Sequence, residues 1–185
     1  MKKISIAAAL LLAVSTTAIA DESTAHEPHF YGGLNLGVAN WGGLGSDVTN
    51  ATSVDDSNVS WGASVGIQAF PWVAFELGYQ NLGEADLKDV SGSYDAQTIN
   101  LTAKLSHNIT DEVSIYGKAG TQWYDWNANG SNVYSNDNGW TPHLGLGVEY
   151  AFNKNWSGAL DYTWYNDIGG PDINNIGLVA IYHWR

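Results

Sequence analysis

Cysteine is absent from this 185-residue chain, which excludes a disulfide framework, a thiolate nucleophile and a thiolate metal site. Any stapling must come from hydrogen bonds and packing. Basic residues are scarce, seven against 19 acidic, for a net charge of −12 at neutral pH. Neutralising phosphates needs clustered Lys and Arg, so no nucleic-acid partner is expected. Leu, Glu and Lys are too few for long helical repeats, and 21 Gly, nine Trp and ten Tyr suit helices poorly. No apolar run reaches the roughly 20 residues that a membrane-spanning helix requires.

The first twenty residues form a compositional unit of their own. Lys2 and Lys3 make a basic start, Ile4 to Val14 an apolar centre, and Ala18-Ile19-Ala20 a small-x-small cleavage site before Asp21. This pattern predicts a cleavable export signal over 1–20. Its removal leaves five basic residues against 19 acidic, a net charge of −14. Residues 21–28 then form a short periplasmic amino-terminal segment, and 29–185 the folded domain.

What remains alternates. Leu34, Leu36 and Val38 interleave with Gly33, Asn35 and Gly37, and Ile99, Leu101, Ala103 and Leu105 with Thr98, Asn100, Thr102 and Lys104. A period of two marks strands with one apolar face. Eight such segments fall at about 29–40, 59–70, 73–83, 94–106, 112–125, 140–151, 156–166 and 175–185. Most are near the 9 to 11 residues or so that cross a bilayer at a tilt. The connections Phe70 to Trp72, His107 to Asp111 and Phe152 to Asn155 are short. Trp41 to Asn58, Glu84 to Ser93, Trp126 to Gly139 and Asp167 to Asn174 read as long polar loops. Short turns on one side and long loops on the other predict an all-β, eight-stranded, antiparallel up-and-down transmembrane barrel of the outer membrane.

Polarity of the faces separates this from a soluble barrel, whose interior is apolar. Ala74, Glu76, Gly78 and Gln80, with His143, Gly145, Gly147 and Glu149, are small or polar and suit a narrow lumen. Phe75, Leu77 and Tyr79, with Leu144, Leu146, Val148 and Tyr150, suit lipid. Phe30, Trp72, Tyr150, Trp156, Tyr182 and Trp184 fall at strand ends, where a girdle of aromatics meets the periplasmic interface.

Three stretches carry a family resemblance: VGIQAFPWVAFELGYQNLG from Val65, INLTAKLSHNITDEVSIYGKAG from Ile99 and GLGVEYAFNKNWSGALDYTWYNDIG from Gly145. In order and spacing they resemble the transmembrane domain of the outer membrane protein A family, from about His29 to Arg185. The resemblance implies periplasmic chain ends, a Gram-negative outer-membrane location and a polar lumen crossed by an ion-pair network. Glu76, Lys104 and Glu149 stand where the family has its lumenal acids and lysine, and Lys118 stands where an arginine is usual. Ala159 occupies the position of a lumenal arginine and Asn35 that of a lysine. By strand parity the lumen keeps Glu76, Glu149 and Asp161 against Lys104 and Lys118. Lys104 is expected between the two glutamates, with a hydrated gap where the arginine is missing. Family members commonly continue into a peptidoglycan-binding domain, which is not expected here because the sequence stops at Arg185.

Neither a cofactor nor a metal is called for. Some eight-stranded outer-membrane barrels are lipid A enzymes with a Ser and His pair, but His107, His143 and His183 lack a neighbouring motif. His107 is expected in a turn, the other two in the lumen. Asp125 to Gly130 matches the first half of a calcium loop, yet the twelfth position is Asn136 rather than Glu, so a solvated loop tip is expected. Asp47, Asp55, Asp56, Glu84, Asp86, Asp89, Asp95, Asp137, Asp167 and Asp172 lie in or beside the long loops, opposed by Lys88. Such an acidic crown meets lipopolysaccharide through bridging divalent cations or is simply solvated. The expected function is a structural and interaction barrel, not an enzyme, whose partners are outer-membrane lipids and the barrel assembly machinery. A narrow gated ion channel is the alternative.

Overall fold

The computed structural model describes residues 27–41, 57–86, 92–130, 133–168 and 172–185. Eight strands run β1 (His29–Trp41), β2 (Ser57–Phe70), β3 (Val73–Asp86), β4 (Gly92–Asn108), β5 (Val113–Gly130), β6 (Val133–Ala151), β7 (Trp156–Tyr165) and β8 (Ile173–Trp184). Each pairs antiparallel with its chain neighbours, and β1 pairs with β8 from Phe30↔Trp184 to Trp41↔Ile173, closing the barrel. Closure leaves no unpaired edge, the condition for a sheet to exist in hydrocarbon. The signal at 1–20, most of the 21–28 segment, and Asp47, Asp55, Asp56 and Asp89 lie outside the described residues.

Alternation becomes a clean division of faces. On β1, Tyr31, Ala39 and Trp41 are buried inside while Phe30, Leu34, Leu36 and Val38 are exposed. On β8, Ile173, Asn175, Ile181 and His183 point in, whereas Ile176, Leu178 and Trp184 point out. Polar residues are thus buried and large aliphatics exposed, the inverse of a soluble barrel. Glycine makes this narrow interior possible. A Cβ on Gly37 would come within 2.8 Å of Gly177 Cα at the β1–β8 seam. Positive φ is needed at Gly83, 83°, in the bulge between Asn81 and Glu84.

The three short connections share one end. Asn153 Oδ1 accepts from the backbone N–H of Asn155 (2.9 Å) and of Trp156 (3.0 Å), and Thr110 Oγ1 accepts from that of Val113 at 3.0 Å. These side-chain caps replace the ladder where it turns. By the short-turn rule this is the periplasmic end, and both ends of the ladder, His29 and Trp184, lie there. Phe30, Trp72, Tyr150, Trp156 and Trp184 are outward and exposed around it, and Tyr182 is half-buried. Their rings meet in pairs, Trp156 with Tyr182 at 5.0 Å and Tyr182 with Trp184 at 5.4 Å between centroids.

The outer end departs from the sequence reading. The ladder of β5 and β6 continues to Gly130↔Val133, so 126–130 and 133–139 are strand rather than loop, and Glu84, Asp86 and Asp137 sit on strands. Residues such as Asn127 and Asn136 are poor strand formers alone, but here they extend a ladder already paired in the membrane. Asp125 to Gly130 is consequently extended on β5 and cannot wrap an ion, so the half calcium loop is not a loop at all. His107 lies on the last turnward residues of β4, exposed and opposite Ile115.

Closed pairing means that many hydrogen bonds must break together for the barrel to open. Unboiled protein should therefore migrate differently from boiled protein on a denaturing gel. Identical migration, with a helical circular dichroism spectrum, would refute the fold.

Candidate functional site: the barrel lumen

Three zones stack inside the barrel. At the periplasmic end, Lys104 Nζ on β4 donates to Glu149 Oε2 on β6 at 2.7 Å, and Ser157 Oγ on β7 donates to Glu149 Oε1 at 2.7 Å. Lys118 Nζ on β5 lies 2.6 Å from Asp161 Oδ2 on β7, whose carboxylate also accepts from Tyr116 OH at 2.7 Å and Thr163 Oγ1 at 2.8 Å. Buried charges are tolerable only when paired and hydrogen-bonded in this way.

Glu76 is arranged differently from the expectation. Lys104 does not bridge the two glutamates; it pairs with Glu149, and Glu76 Oε1 accepts from Tyr31 OH at 2.7 Å. Among the described residues no cation lies within ion-pair distance of Glu76. Two tyrosines take over. The Lys104 ammonium sits 4.3 Å from the Tyr116 ring centroid and 5.8 Å from that of Tyr31, so each ring is near a cation while its hydroxyl serves a carboxylate. Their space comes from glycine: a Cβ on Gly66 would lie 2.7 Å from Tyr31 OH, and one on Gly147 would meet the Tyr116 ring. Ala159 packs with Tyr31, Ala74, Tyr116 and Ile181 in an apolar cluster, so its own position is filled rather than hydrated.

Above these charges lies a polar middle zone. Asn35 Nδ2 donates to Gln80 Oε1 at 2.7 Å, Ser60 Oγ to Asn175 Oδ1 at 2.6 Å, and Thr102 Oγ1 lies 2.9 Å from His143 Nε2. Among the described residues, Asn35 Oδ1, Asn100 Oδ1 and His143 Nδ1 are buried without a protein partner, and their side chains border a cavity of about 70 Å³ that also reaches Glu76. A polar space of that size accommodates a few waters.

The outer zone is apolar. Ala39, Trp41, Leu82, Ala96, Tyr165, Ile168 and Ile173 form a buried cluster, with Tyr124 and Trp126 packed against it. Leu82, Ile168 and Ile173 are fully buried. Trp41 was expected to open an outer loop; instead it turns inward from the last position of β1 into this plug. The signal available in the sequence was parity, since Trp41 shares the odd-numbered face of Tyr31 and Ala39. Asp167, in a left-handed conformation with φ 43°, sits where the chain reverses before Ile168 enters the mouth, and its N–H donates to Asp172 Oδ1 at 2.9 Å.

A closed eight-stranded barrel with an apolar exterior and a packed polar interior defines an integral outer-membrane barrel protein. The OmpA-like transmembrane domain family matches residues 25–181, and the chain belongs to that family. Outer membrane protein A of Escherichia coli O157:H7 is 36% identical over 182 residues, covering 96% of this chain and 51% of that protein. The Shigella flexneri protein of the same name is 35% identical over 184 residues, with the same two coverages. The chain thus spans about half the length of the curated relatives it matches. Among solved structures, Neisserial surface protein A shares the fold at a TM-score of 0.64 and 14% identity, covering 85% of this chain and 99% of that one. The protein is a barrel of the Gram-negative outer membrane.

The two carboxylates differ in their partners, which sets an order of effects. Lys104→Ala strands Glu149 in a buried site and should lower the stability of the folded barrel by about 3 to 5 kcal/mol where the pair is dry. Glu76→Gln keeps an acceptor for Tyr31 OH and removes a carboxylate with no cation beside it, so it should cost less. Urea refolding midpoints in lipid vesicles measure both, and an equal loss would contradict the geometry.

Proposed function

We propose that the barrel acts as a structural and interaction element of the outer membrane rather than as an open pore. The observation that carries this reading is the apolar plug of Trp41, Leu82, Tyr165, Ile168 and Ile173 across the outer mouth. Ions entering from outside would shed water against buried aliphatic and aromatic side chains. Beneath the plug, Glu149 and Asp161 each hold a lysine, so that Lys104–Glu149 ties β4 to β6, Lys118–Asp161 ties β5 to β7, and Glu76 is tied through Tyr31 to β1. The polar cavity of about 70 Å³ gives the gated-channel alternative a reservoir, and among the described residues the apolar cluster stands between it and the outer mouth.

The remaining parts of the proposal follow from the surface. Residues 1–20 direct export and are cleaved, and the assembly machinery then receives the chain through its aromatic-rich closing strand. Phe30, Trp72, Tyr150, Trp156, Tyr182 and Trp184 anchor the periplasmic interface. Outside, Glu84 lies opposite Asp95 in the ladder, and Asp167 and Asp172 are exposed, so negative charge gathers above the lipid. Divalent cations bridging these acids to lipopolysaccharide phosphates would tie the barrel to the outer leaflet. No catalytic step belongs to this reading.

Purified refolded protein in a planar lipid bilayer should pass no steady ion current. The double variant Leu82→Asp/Ile173→Asp, wetting the plug, should pass a cation current. Steady current through the unaltered protein, or silence from a variant whose gel mobility shows it folded, would overturn the proposal that the plug closes the lumen.

A further inference from the structure

The lumen holds one negative charge more than its own cations balance. Among the described residues it carries Glu76, Glu149 and Asp161 against Lys104 and Lys118, and the two lysines are taken by Glu149 at 2.7 Å and Asp161 at 2.6 Å. Glu76 keeps the phenol of Tyr31, 2.7 Å away, which donates a hydrogen but no charge. With the histidines neutral, three acids against two lysines leave the interior at −1. A net charge enclosed by hydrocarbon is costly, and cavity water lowers that cost without removing it.

Strand register shows where a counter-ion fits. Gly33, Ser64, Gly78 and Asn100 are successive ladder partners across β1, β2, β3 and β4, and all four line the polar cavity of about 70 Å³. Two of them are glycines, so the wall is hollow beside Glu76, which lies two residues nearer the periplasmic turn on β3. A Cβ built on Gly78 would meet nothing nearer than Ser64 Cβ at 3.5 Å, so the space there is open. Its lining is rich in oxygen: the Glu76 carboxylate, the Ser64 hydroxyl, and the amides of Asn35 and Asn100, whose Oδ1 atoms are buried without a protein partner among the described residues. Asn35 spends its Nδ2 on Gln80 Oε1 at 2.7 Å, and the terminal torsion of an Asn is soft enough to turn Asn100 Oδ1 toward the space. His143, 2% exposed and unpartnered at Nδ1, also borders it and offers a ring nitrogen to water.

We propose that this cavity is a binding site for one alkali-metal cation, sodium or potassium, held against Glu76. Carboxylate, hydroxyl and amide oxygens are the ligands that hard cations prefer. One positive charge brings the interior to neutrality. A dication would overshoot, leaving a net positive charge beside Lys104 and Lys118, which line the same cavity. It would also have to shed a tightly held hydration shell. An alkali ion gives up water more readily, and about 70 Å³ leaves room for the ion and a few of its waters. The site stands whether or not the apolar plug closes the outer mouth, since the plug governs only how quickly the ion exchanges.

Refolding the full chain into lipid vesicles in sodium, potassium or N-methyl-D-glucamine chloride, at equal ionic strength, tests the site. The organic cation is too large for the cavity. The urea midpoint should be higher in sodium or potassium: an ion held at a Kd of about 10 mM raises the folded-to-unfolded ratio about tenfold in about 100 mM salt. Glu76→Gln should abolish the difference, and Gly78→Ala should weaken it severalfold by filling the space. Asn35→Lys should also abolish it, by tethering an ammonium in the ion's place. Glu112→Gln, which alters an exposed acid at a periplasmic turn, should leave it intact. Unboiled gel mobility establishes that each variant is folded, and crystals of the unaltered protein grown with thallium(I) should show an anomalous peak beside Glu76. Equal midpoints in all three salts would overturn the proposal and assign the balancing charge to a proton. A difference that survives Glu76→Gln, or an anomalous peak only among the exposed acids, would place the ion elsewhere and overturn it equally.

Discussion

Everything in this molecule follows from the need to satisfy each backbone N–H and C=O within lipid. A sheet meets that need only by closing on itself, and eight strands close with β1 against β8. Eight strands also fix the radius, which leaves an interior just wide enough to be filled by side chains. The lumen is therefore a core, but one whose residues are polar because the opposite face is taken by lipid. Each buried polar group then needs a partner, and the strands alone decide which partners are within reach.

That geometry explains how an interior with three acids and two lysines is balanced. Glu149 and Asp161 each take a lysine, and Glu76 takes a phenol. Tyr31 and Tyr116 do two tasks at once, donating hydroxyl hydrogens to Glu76 and Asp161 while their ring faces lie near Lys104. Gly66 and Gly147 are the empty spaces those rings occupy. A carboxylate that accepts a short hydrogen bond beside water needs a full counter-charge less than a dry one does, and the polar cavity borders Glu76.

Much of the fold was readable in the sequence because a strand between lipid and lumen obeys a binary rule. Parity assigned Phe75, Leu77 and Leu146 to the outside, where they are exposed, and the short turns set the polarity of the barrel. The same parity would have turned Trp41 inward, but its place at a strand end made an outer loop the simpler reading. The strand character of 126–130 and 133–139 was hidden because Asn, Ser and Gly lack β preference, and only pairing with a neighbour holds them extended. Partner choice was less legible still. Whether Lys104 reaches Glu76 or Glu149 depends on stagger around the barrel, which no single strand encodes. His29 and His183, whose rings are hydrogen-bonded, are 154 positions apart, and nothing local to either announces the other.

The vertical order of the lumen has its own logic. Charges gather at the periplasmic end, neutral amides and hydroxyls occupy the middle, and apolar side chains close the outer mouth. A plug at the outer end relies on burial alone and tolerates the irregular chain around Asp167, since aliphatic contacts are not directional. Hydrogen-bonded charges are directional and demand fixed distances, so they belong where the strands are held by tight, side-chain-capped turns. The end with short connections thus carries the interactions that need precision of placement. The outer end carries those that need only exclusion of water, which contacts between buried side chains supply without fixed directions.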